Sequence, residues 1–151
     1  MIYESKTQQE TETLGEKLAS KAECGDIYCL IGGLGSGKTA FARGFARGLG
    51  ISGEITSPTF TIVNTYIGTG RLNLYHFDVY RLNNLDEMDD TGYEEYFYGD
   101  GVTLLEWADL IEELWPQNAI IVRFERVLER GLNYREIKVT QRVAADEYSG
   151  Y

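Results

Sequence analysis

The sequence predicts an α/β fold, with one domain built on a mixed central sheet flanked by helices. The length of 151 residues suits one compact domain with an apolar core. Short apolar runs typical of strands alternate with helical patterns along the chain. A glycine-rich loop joins one of these strands to the helix after it. We expect the domain to span 1–141, and 142–151, which lacks an apolar pattern, to form a flexible tail.

Charge and composition exclude several classes of protein. The chain carries 24 acidic and 14 basic residues, a formal net charge of -10, which repels polyanions and argues against general nucleic-acid binding. No apolar run is long enough to span a bilayer, and the first residues lack the basic start and apolar stretch of a signal peptide. We therefore expect a cytoplasmic protein with no membrane segment. Cys24 and Cys29 fit neither a CxxC redox pair nor a zinc ligand set and are predicted to be core thiols.

Two helices are predicted in the first third of the chain. Ser5 or Thr7 can cap the first helix, which is expected to end near Gly25. The apolar run 27–31 then predicts a buried strand, and the glycine-rich loop follows it. Beyond the loop, Phe41, Phe45 and Leu49 recur at helical spacing and predict a helix with one buried face. Its opposite face carries two arginines, for which solvent exposure is favoured over a contact with a partner or tRNA: Arg43 and Arg47.

The rest of the chain is predicted to be mostly strands. Five segments have this character: 60–67, 71–78, 102–107, 119–127 and 133–139. The glycines at 68 and 70 indicate a hairpin between the first two, and the last two are expected to form an antiparallel pair that closes the sheet. The acidic stretch 86–90 is predicted to be a solvated helix or loop. A helix after 107 is expected to run through Leu114 and to end at Pro116.

The glycine-rich loop is the strongest functional signal. Gly32, Gly37, Lys38 and Thr39 match the pattern G-x-x-x-x-G-K-[ST], with a strand before it and a helix after it. Glycines let successive backbone N–H groups turn inward around phosphate oxygens, and the start of the helix adds positive potential. Lys38 is expected to reach the β- and γ-phosphates, and the Thr39 hydroxyl to bind Mg²⁺. The pattern predicts a P-loop NTPase-like domain.

Two carboxylates at predicted strand ends are candidates to complete this site. Glu106 ends the run VTLLE, where P-loop proteins carry the acid that helps to hold Mg²⁺, and Asp78 ends the run LNLYHFD. The alternative for either one is a solvated charge at the end of a strand. His76 shares a strand face with Asp78, and a structural role is favoured for it over that of a catalytic base.

With these features the chain resembles the bacterial TsaE (YjeE) family, the small P-loop ATPases of tRNA threonylcarbamoyladenosine biosynthesis. Four motifs carry the resemblance in order: GGLGSGKT, then TSPTF at 56–60, HFDVYRL at 76–82 and LLEW at 104–107. The similarity extends from TLGEKLA in the first helix to NYREIKV in the last strand. The stretch DEMDDTGYEEYF departs from the Leu-Gly pattern expected before Glu-Tyr-Phe.

The resemblance implies a single domain that binds ATP and Mg²⁺. Thr39 and Glu106 would hold the metal, and the catalytic residues would be Lys38, Asp78 and Glu106. The residues implied around the nucleotide are Gln8, Thr11, Gly33, Leu34, Gly35, Ser36, Gly37, Lys38, Thr39, Ser57, Thr59 and Arg135. Among these, Ser57 and Thr59 would sense the γ-phosphate as a switch segment. Trp107 is predicted to be a core residue, although the resemblance places it near the nucleotide-sensitive interface.

The resemblance also implies partners and a pathway. The chain would work with TsaD and TsaB, the threonylcarbamoyl transferase pair, and would meet tRNA indirectly through that complex. Hydrolysis is expected to be slow in isolation, because an arginine supplied in trans often completes phosphoryl-transfer sites. The sequence identifies neither Arg81 nor Arg135 as such a residue. A nucleotide-dependent clamp without hydrolysis and a small-molecule kinase remain the alternatives, whereas a GTPase would carry an Asn-Lys-x-Asp tetrapeptide that this sequence lacks.

Overall fold

The computed structural model describes residues 1–56, 58 and 62–141. Its strands are β1 (Ile2–Ser5), β2 (Ile27–Ile31), β3 (Val63–Tyr66), β4 (Leu74–Asp78), β5 (Val102–Glu106), β6 (Ile120–Arg126) and β7 (Arg135–Gln141). Its α-helices are α1 (Gln8–Ala19), α2 (Lys38–Gly48), α3 (Asp86–Asp89) and α4 (Tyr93–Phe97). Ala108–Leu114 and Leu128–Arg130 are 3₁₀ helices. The predicted tail 142–151 lies outside the described residues.

The strands form one mixed sheet, as predicted, and it has seven strands. Its order is β1-β7-β6-β2-β5-β4-β3. Strand β2 pairs in parallel with β5 and β6, and β5 also pairs in parallel with β4. The predicted hairpin β3–β4 is confirmed, as is the antiparallel pair β6–β7. The parallel centre brings the carboxyl ends of β2, β4 and β5 to one edge of the sheet, where ligands bind in open α/β folds.

The pair β6–β7 does not close the sheet, contrary to the prediction. Strand β1 lies outside β7 and pairs with it in antiparallel register, from Ile2 opposite Lys138 to Ser5 opposite Arg135. Short edge strands with one exposed side carry little apolar pattern, so β1 gave no clear signal in the sequence. The helix that follows it begins where expected, since the Thr7 hydroxyl accepts the N–H of Glu10 over 3.1 Å.

Helices α1 and α2 cover one face of the sheet and touch along their backbones. A Cβ added at Gly15, Gly44 or Gly48 would overlap backbone atoms of the opposite helix. This close approach explains the repeated Arg-Gly of α2, because the glycines face α1 while the arginines point outward. Arg43 and Arg47 are exposed, as predicted. Arg47 also forms ion pairs with two carboxylates of α1, those of Glu12 and Glu16.

Apolar side chains fill both faces of the sheet. Below α1 and α2 lie Leu14, Leu18, Phe41, Phe45 and Leu49, among others. The other face is covered by the short helices and by the segment 108–115. There Met88 is fully buried, so the stretch 86–90 is not solvated throughout, contrary to the prediction. Met88 docks the segment against the apolar core, while Asp86, Asp89 and Asp90 remain exposed.

The cysteines and the helix after β5 differ in part from what the sequence predicted. Cys29 is buried in β2 as expected, but Cys24 is exposed because it lies in the turn before that strand. The helix after β5 ends at Leu114 before Pro116, as predicted, but it is a 3₁₀ helix with a kink at Ile111 (φ -130°, ψ 37°). Across the described residues, no helix combines the length and apolar character needed to cross a bilayer.

Candidate nucleotide site

The loop between β2 and α2 has the backbone shape of a phosphate cradle. Gly35 and Gly37 lie in the left-handed region at φ 72° and 109°, where a side chain is strained. At Gly32 a Cβ would come within 2.5 Å of the Ser36 hydroxyl and 3.0 Å of the Phe124 carbonyl oxygen. The loop leads directly into the first turn of α2, whose N–H groups have no partner within the helix.

Lys38 opens α2 and folds back over the loop. Its Nζ donates to the carbonyl oxygens of Gly32 and Gly33, over 3.0 Å to the latter, and lies 3.9 Å from the ring centroid of Trp107. Burial lowers the pKa of Lys38, while the negative charges of Glu106 and Asp78 oppose this shift. The ammonium group is therefore held beneath the cradle, close to the two carboxylates.

Asp78 and Glu106 stand side by side at the ends of adjacent parallel strands. They are register partners on β4 and β5, so strand geometry alone sets their separation. The Asp78 carboxylate accepts the N–H of Tyr80 over 3.0 Å. Burial raises the pKa of Asp78, and the charge of Glu106 adds to this. Oε2 of Glu106 lies 2.6 Å from Nε2 of His76, and both side chains are buried.

A cavity of about 500 Å³ brings the predicted site residues together. The predicted residues that line it are Gln8, Thr11, Gly33, Leu34, Gly35, Ser36, Gly37, Lys38, Thr39, Asp78, Glu106 and Arg135. Ser57 and Thr59, the predicted switch residues, lie outside the described residues. Helix α1 reaches the cavity because its close contacts with the glycines of α2 bring its first turns beside the loop. A Cβ added at Gly37 would lie 3.5 Å from Cγ2 of Thr11.

Arg135 lies in the cavity wall, and its guanidinium is bound to the loop. Nε donates to the carbonyl oxygen of Ser36 over 3.1 Å, and Nη2 to that of Gly35 over 2.8 Å. Nη1 donates to the carbonyl oxygens of Leu132 and Tyr134. These bonds tie the loop to β7 and to the turn before it. Arg135 thus supports the shape of the cradle from β7.

Trp107, predicted to be a core residue, is instead half-buried in the cavity wall. It directly follows Glu106 and adopts a left-handed backbone conformation at φ 60°. Its ring contacts that of Tyr80, with centroids 4.6 Å apart. After the sharp turn that follows β5, Trp107 packs partly against the apolar core and partly against Lys38 of the loop. Strained backbone of this kind is concentrated at functional sites.

The residues present fit a magnesium-bound phosphate ligand. The buried Ser36 hydroxyl has no hydrogen-bond partner among the described residues, at the centre of the cradle. Among those same residues no group of three or more His, Cys, Asp or Glu side chains is arranged to hold a metal ion. Mg²⁺ is commonly bound by one or two protein oxygens together with substrate phosphates. Thr39 and Glu106, the predicted metal ligands, both line the cavity, as does Asp78.

Comparison with known proteins places the chain. A family model described as "Threonylcarbamoyl adenosine biosynthesis protein TsaE" matches residues 5–136. The chain belongs to the TsaE family. It is 48% identical over 132 residues to the tRNA threonylcarbamoyladenosine biosynthesis protein TsaE of Bacillus subtilis, covering 87% of this chain and 80% of that protein. The corresponding protein of Treponema pallidum is 43% identical over 135 residues, covering 89% of this chain and 96% of the relative.

A solved structure supports the fold of this TsaE family member. The crystal structure of Bacillus subtilis YdiB aligns with a TM-score of 0.79 at 39% identity, covering 99% of this chain and 89% of that one. Together with the seven-stranded mixed sheet, this confirms the predicted α/β architecture.

The cavity also contains residues that sequence reasoning did not place there. These are Thr7, Ala40, Arg43, Tyr80, Arg81 and Asn133. Three of them carried a usable signal. Tyr80 and Arg81 lie within the HFDVYRL motif of the TsaE family, and Arg43 lies one helical turn after Thr39 on the helix that the loop opens. Thr7 and Asn133 are brought to the cavity only by the packing of α1 and by the turn before β7.

Proposed function

We propose that this chain binds Mg²⁺ and ATP and hydrolyses the nucleotide in tRNA threonylcarbamoyladenosine biosynthesis, slowly alone and under the control of TsaB and TsaD partners. One observation carries the proposal: the inward-facing loop with Lys38 shares a cavity with the adjacent carboxylates Asp78 and Glu106. The pathway rests on membership of the TsaE family, whose curated relatives bear that name.

The loop and α2 would bind the phosphates. Backbone N–H groups of the loop and the positive end of α2 would attract oxyanions without needing a side chain. Lys38 would exchange its bonds with the Gly32 and Gly33 carbonyl oxygens for bonds with phosphate oxygens. The Lys38 ammonium group would thus keep hydrogen-bond acceptors throughout. It would move only a short distance, because it already lies next to the loop.

The carboxylates would serve the metal and the attacking water. Thr39 and Glu106 would hold Mg²⁺, which neutralises charge on the phosphoryl oxygens when it is bound. Asp78 has one oxygen engaged by the N–H of Tyr80 and lies at the cavity, where it would orient water toward the γ-phosphate. Its raised pKa, caused first by burial, makes it a better proton acceptor than an exposed aspartate.

Slow hydrolysis without a partner is the part of the proposal that concerns transition-state charge. Transition-state charge in phosphoryl transfer is commonly neutralised by an arginine, which contributes about 10³–10⁵-fold. Three arginines line the cavity, namely Arg43, Arg81 and Arg135. The guanidinium of Arg135 is engaged with backbone carbonyl oxygens of the loop and of the turn before β7. A partner that supplied an arginine, or that rearranged this wall of the cavity, would therefore accelerate turnover. The net charge of -10 favours contact with tRNA through such partners.

Phosphate release from Mg²⁺ and ATP, measured with and without cognate TsaB and TsaD, tests the proposal. We expect stimulation by the partners, and loss of that stimulation in Thr39→Ala and in Glu106→Ala. Thr13→Ala and Glu113→Ala remove the same groups at exposed positions and serve as matched controls. Tight ATP binding with no release under any condition would favour the clamp, and phosphate transferred to an added acceptor would favour a kinase.

A further inference from the structure

The buried pair formed by His76 and Glu106 is not explained by metal binding alone. His76 Nε2 and Glu106 Oε2 lie 2.6 Å apart, and the two side chains are 1% and 4% exposed. Asp78 is opposite Glu106 in the β4–β5 register, and His76 precedes Asp78 by two residues. All three side chains therefore share one face of the sheet, and the imidazole reaches diagonally from β4 to the carboxylate on β5.

The geometry assigns one ring nitrogen to the contact. A carboxylate only accepts, so Nε2 carries the proton in this bond. Nδ1 is buried and has no hydrogen-bond partner among the described residues. The contact with Glu106 is thus the polar anchor of the ring, and the bare Nδ1 shows that His76 is oriented toward the carboxylate at some cost.

The contact also restricts what Glu106 presents to the cavity. A carboxylate that is free to rotate offers two equivalent oxygens, whereas Oε2 of Glu106 already accepts a hydrogen bond from the imidazole. Oε1 is the oxygen that this contact leaves with its full capacity to accept, and Glu106 lines the cavity. Residues that orient a metal ligand in this manner commonly change metal affinity by about 10- to 100-fold when they are removed.

We propose that His76 is a positioning residue, which holds Glu106 through its Nε2–H so that Glu106 offers a single oxygen to the metal. The hydrogen bond between His76 and Glu106 is a property of the chain without ligands. Its effect on Mg²⁺ binding rests on the proposed function, so the hydrogen bond and its effect on Mg²⁺ are tested separately.

The first test uses the free chain. His76 is the only histidine in the sequence, so a ¹⁵N-labelled, untagged chain gives a single set of imidazole resonances. We expect the Nε2–H form, with its proton shifted strongly downfield and exchanging slowly with water. Glu106→Ala should abolish this signature, and Asp78→Asn should preserve it. An Nδ1–H form, or a signature that survives Glu106→Ala, overturns the proposal whether or not the chain binds ATP.

The second test uses isosteric substitutions and Mg²⁺. In His76→Gln the side-chain amide nitrogen lies where Nε2 lies in histidine, so this variant should keep the hydrogen bond to Glu106. In His76→Asn the amide nitrogen lies where Nδ1 lies, so this variant should lose that hydrogen bond. We expect Mg²⁺-dependent ATP affinity close to wild type in His76→Gln and about 10- to 100-fold weaker in His76→Asn. ATP affinity without Mg²⁺ should not change in either variant.

Thermal unfolding of both variants separates positioning from packing. If His76 had only a structural role, the ATP affinity of the two folded variants would depend on Mg²⁺ to the same extent. This result would contradict the proposal. If ATP affinity of the wild-type chain does not respond to Mg²⁺, the metal part of the proposed function fails. The NMR experiment still decides whether His76 holds Glu106.

Discussion

Gly44 of α2 lies directly against the backbone of Glu12 in α1, with no room for a side chain between them. A Cβ at Gly44 would overlap the carbonyl oxygen of Glu12 and lie 2.5 Å from its carbonyl carbon. This contact fixes the distance between the helix that the phosphate loop opens and the helix that carries Gln8 and Thr11. One wall of the cavity therefore depends on a glycine two turns away from the loop.

Gly44→Ala should destabilise the chain. Alanine favours a helix over glycine by about 1 kcal/mol, but the overlap would force α1 and α2 apart. We expect a net loss of about 2–3 kcal/mol in the free energy of unfolding, measured by urea denaturation. Gly33→Ala is the control, since a Cβ there would meet nothing within 4 Å. Equal stability of the two variants would show that the helices adjust without cost.

Arg135→Gln should weaken nucleotide binding without unfolding the chain. The substitution removes the donations to the Gly35 and Ser36 carbonyl oxygens, so the loop loses its support from β7. We expect ATP affinity, measured by calorimetry, to fall by about tenfold, which corresponds to about 1.4 kcal/mol. Lys138→Gln removes the same charge from an exposed position of β7 and should leave affinity unchanged. A similar loss in both variants would instead indicate a general effect of charge.

Asp78→Asn should stabilise the fold while it impairs hydrolysis. Burial raises the pKa of Asp78, so ionising this carboxyl costs more in the folded chain than in the unfolded chain. The charge therefore lowers stability at neutral pH, and its penalty disappears as pH falls below the ordinary range of a carboxyl group. We expect a gain of about 1 kcal/mol at pH 7, shrinking toward pH 4. Thermal unfolding of both chains across this pH range is the measurement, and a gain that grows on acidification would contradict the explanation.

Trp107 should report nucleotide binding through its fluorescence. Its indole contacts Lys38 and Tyr80 in the cavity wall, whereas the chain's other tryptophan, Trp115, is buried and donates Nε1–H to the Ala108 carbonyl oxygen over 2.9 Å. If Lys38 turns to a bound phosphate as proposed, the charge beside Trp107 moves. Adding ATP with Mg²⁺ should change the emission of the wild-type chain and leave that of Trp107→Phe unchanged. A response retained in Trp107→Phe would place the reporter at Trp115.

Local patterns were sufficient to predict most elements of the fold. The run 27–31 and the glycine-rich loop identify β2 and the start of α2, because glycine geometry and strand character are local properties. The four separated motifs indicated the family. Strand β1 escaped prediction since an edge strand of four residues has no periodic signal, and Met88 escaped since a single apolar residue gives no stripe.

By itself, the sequence determined the family, the glycine-rich loop between β2 and α2, and the positions of two carboxylates at strand ends, because each depends on residue types at fixed spacing along the chain. Tertiary structure decided how these groups face one another. Pairing of β4 with β5 set Glu106 beside Asp78 and within reach of His76, and pairing of β6 with β7 carried Arg135 to the loop. Such contacts join residues 28 to 100 positions apart. They follow from strand order and close packing, which no local spacing encodes.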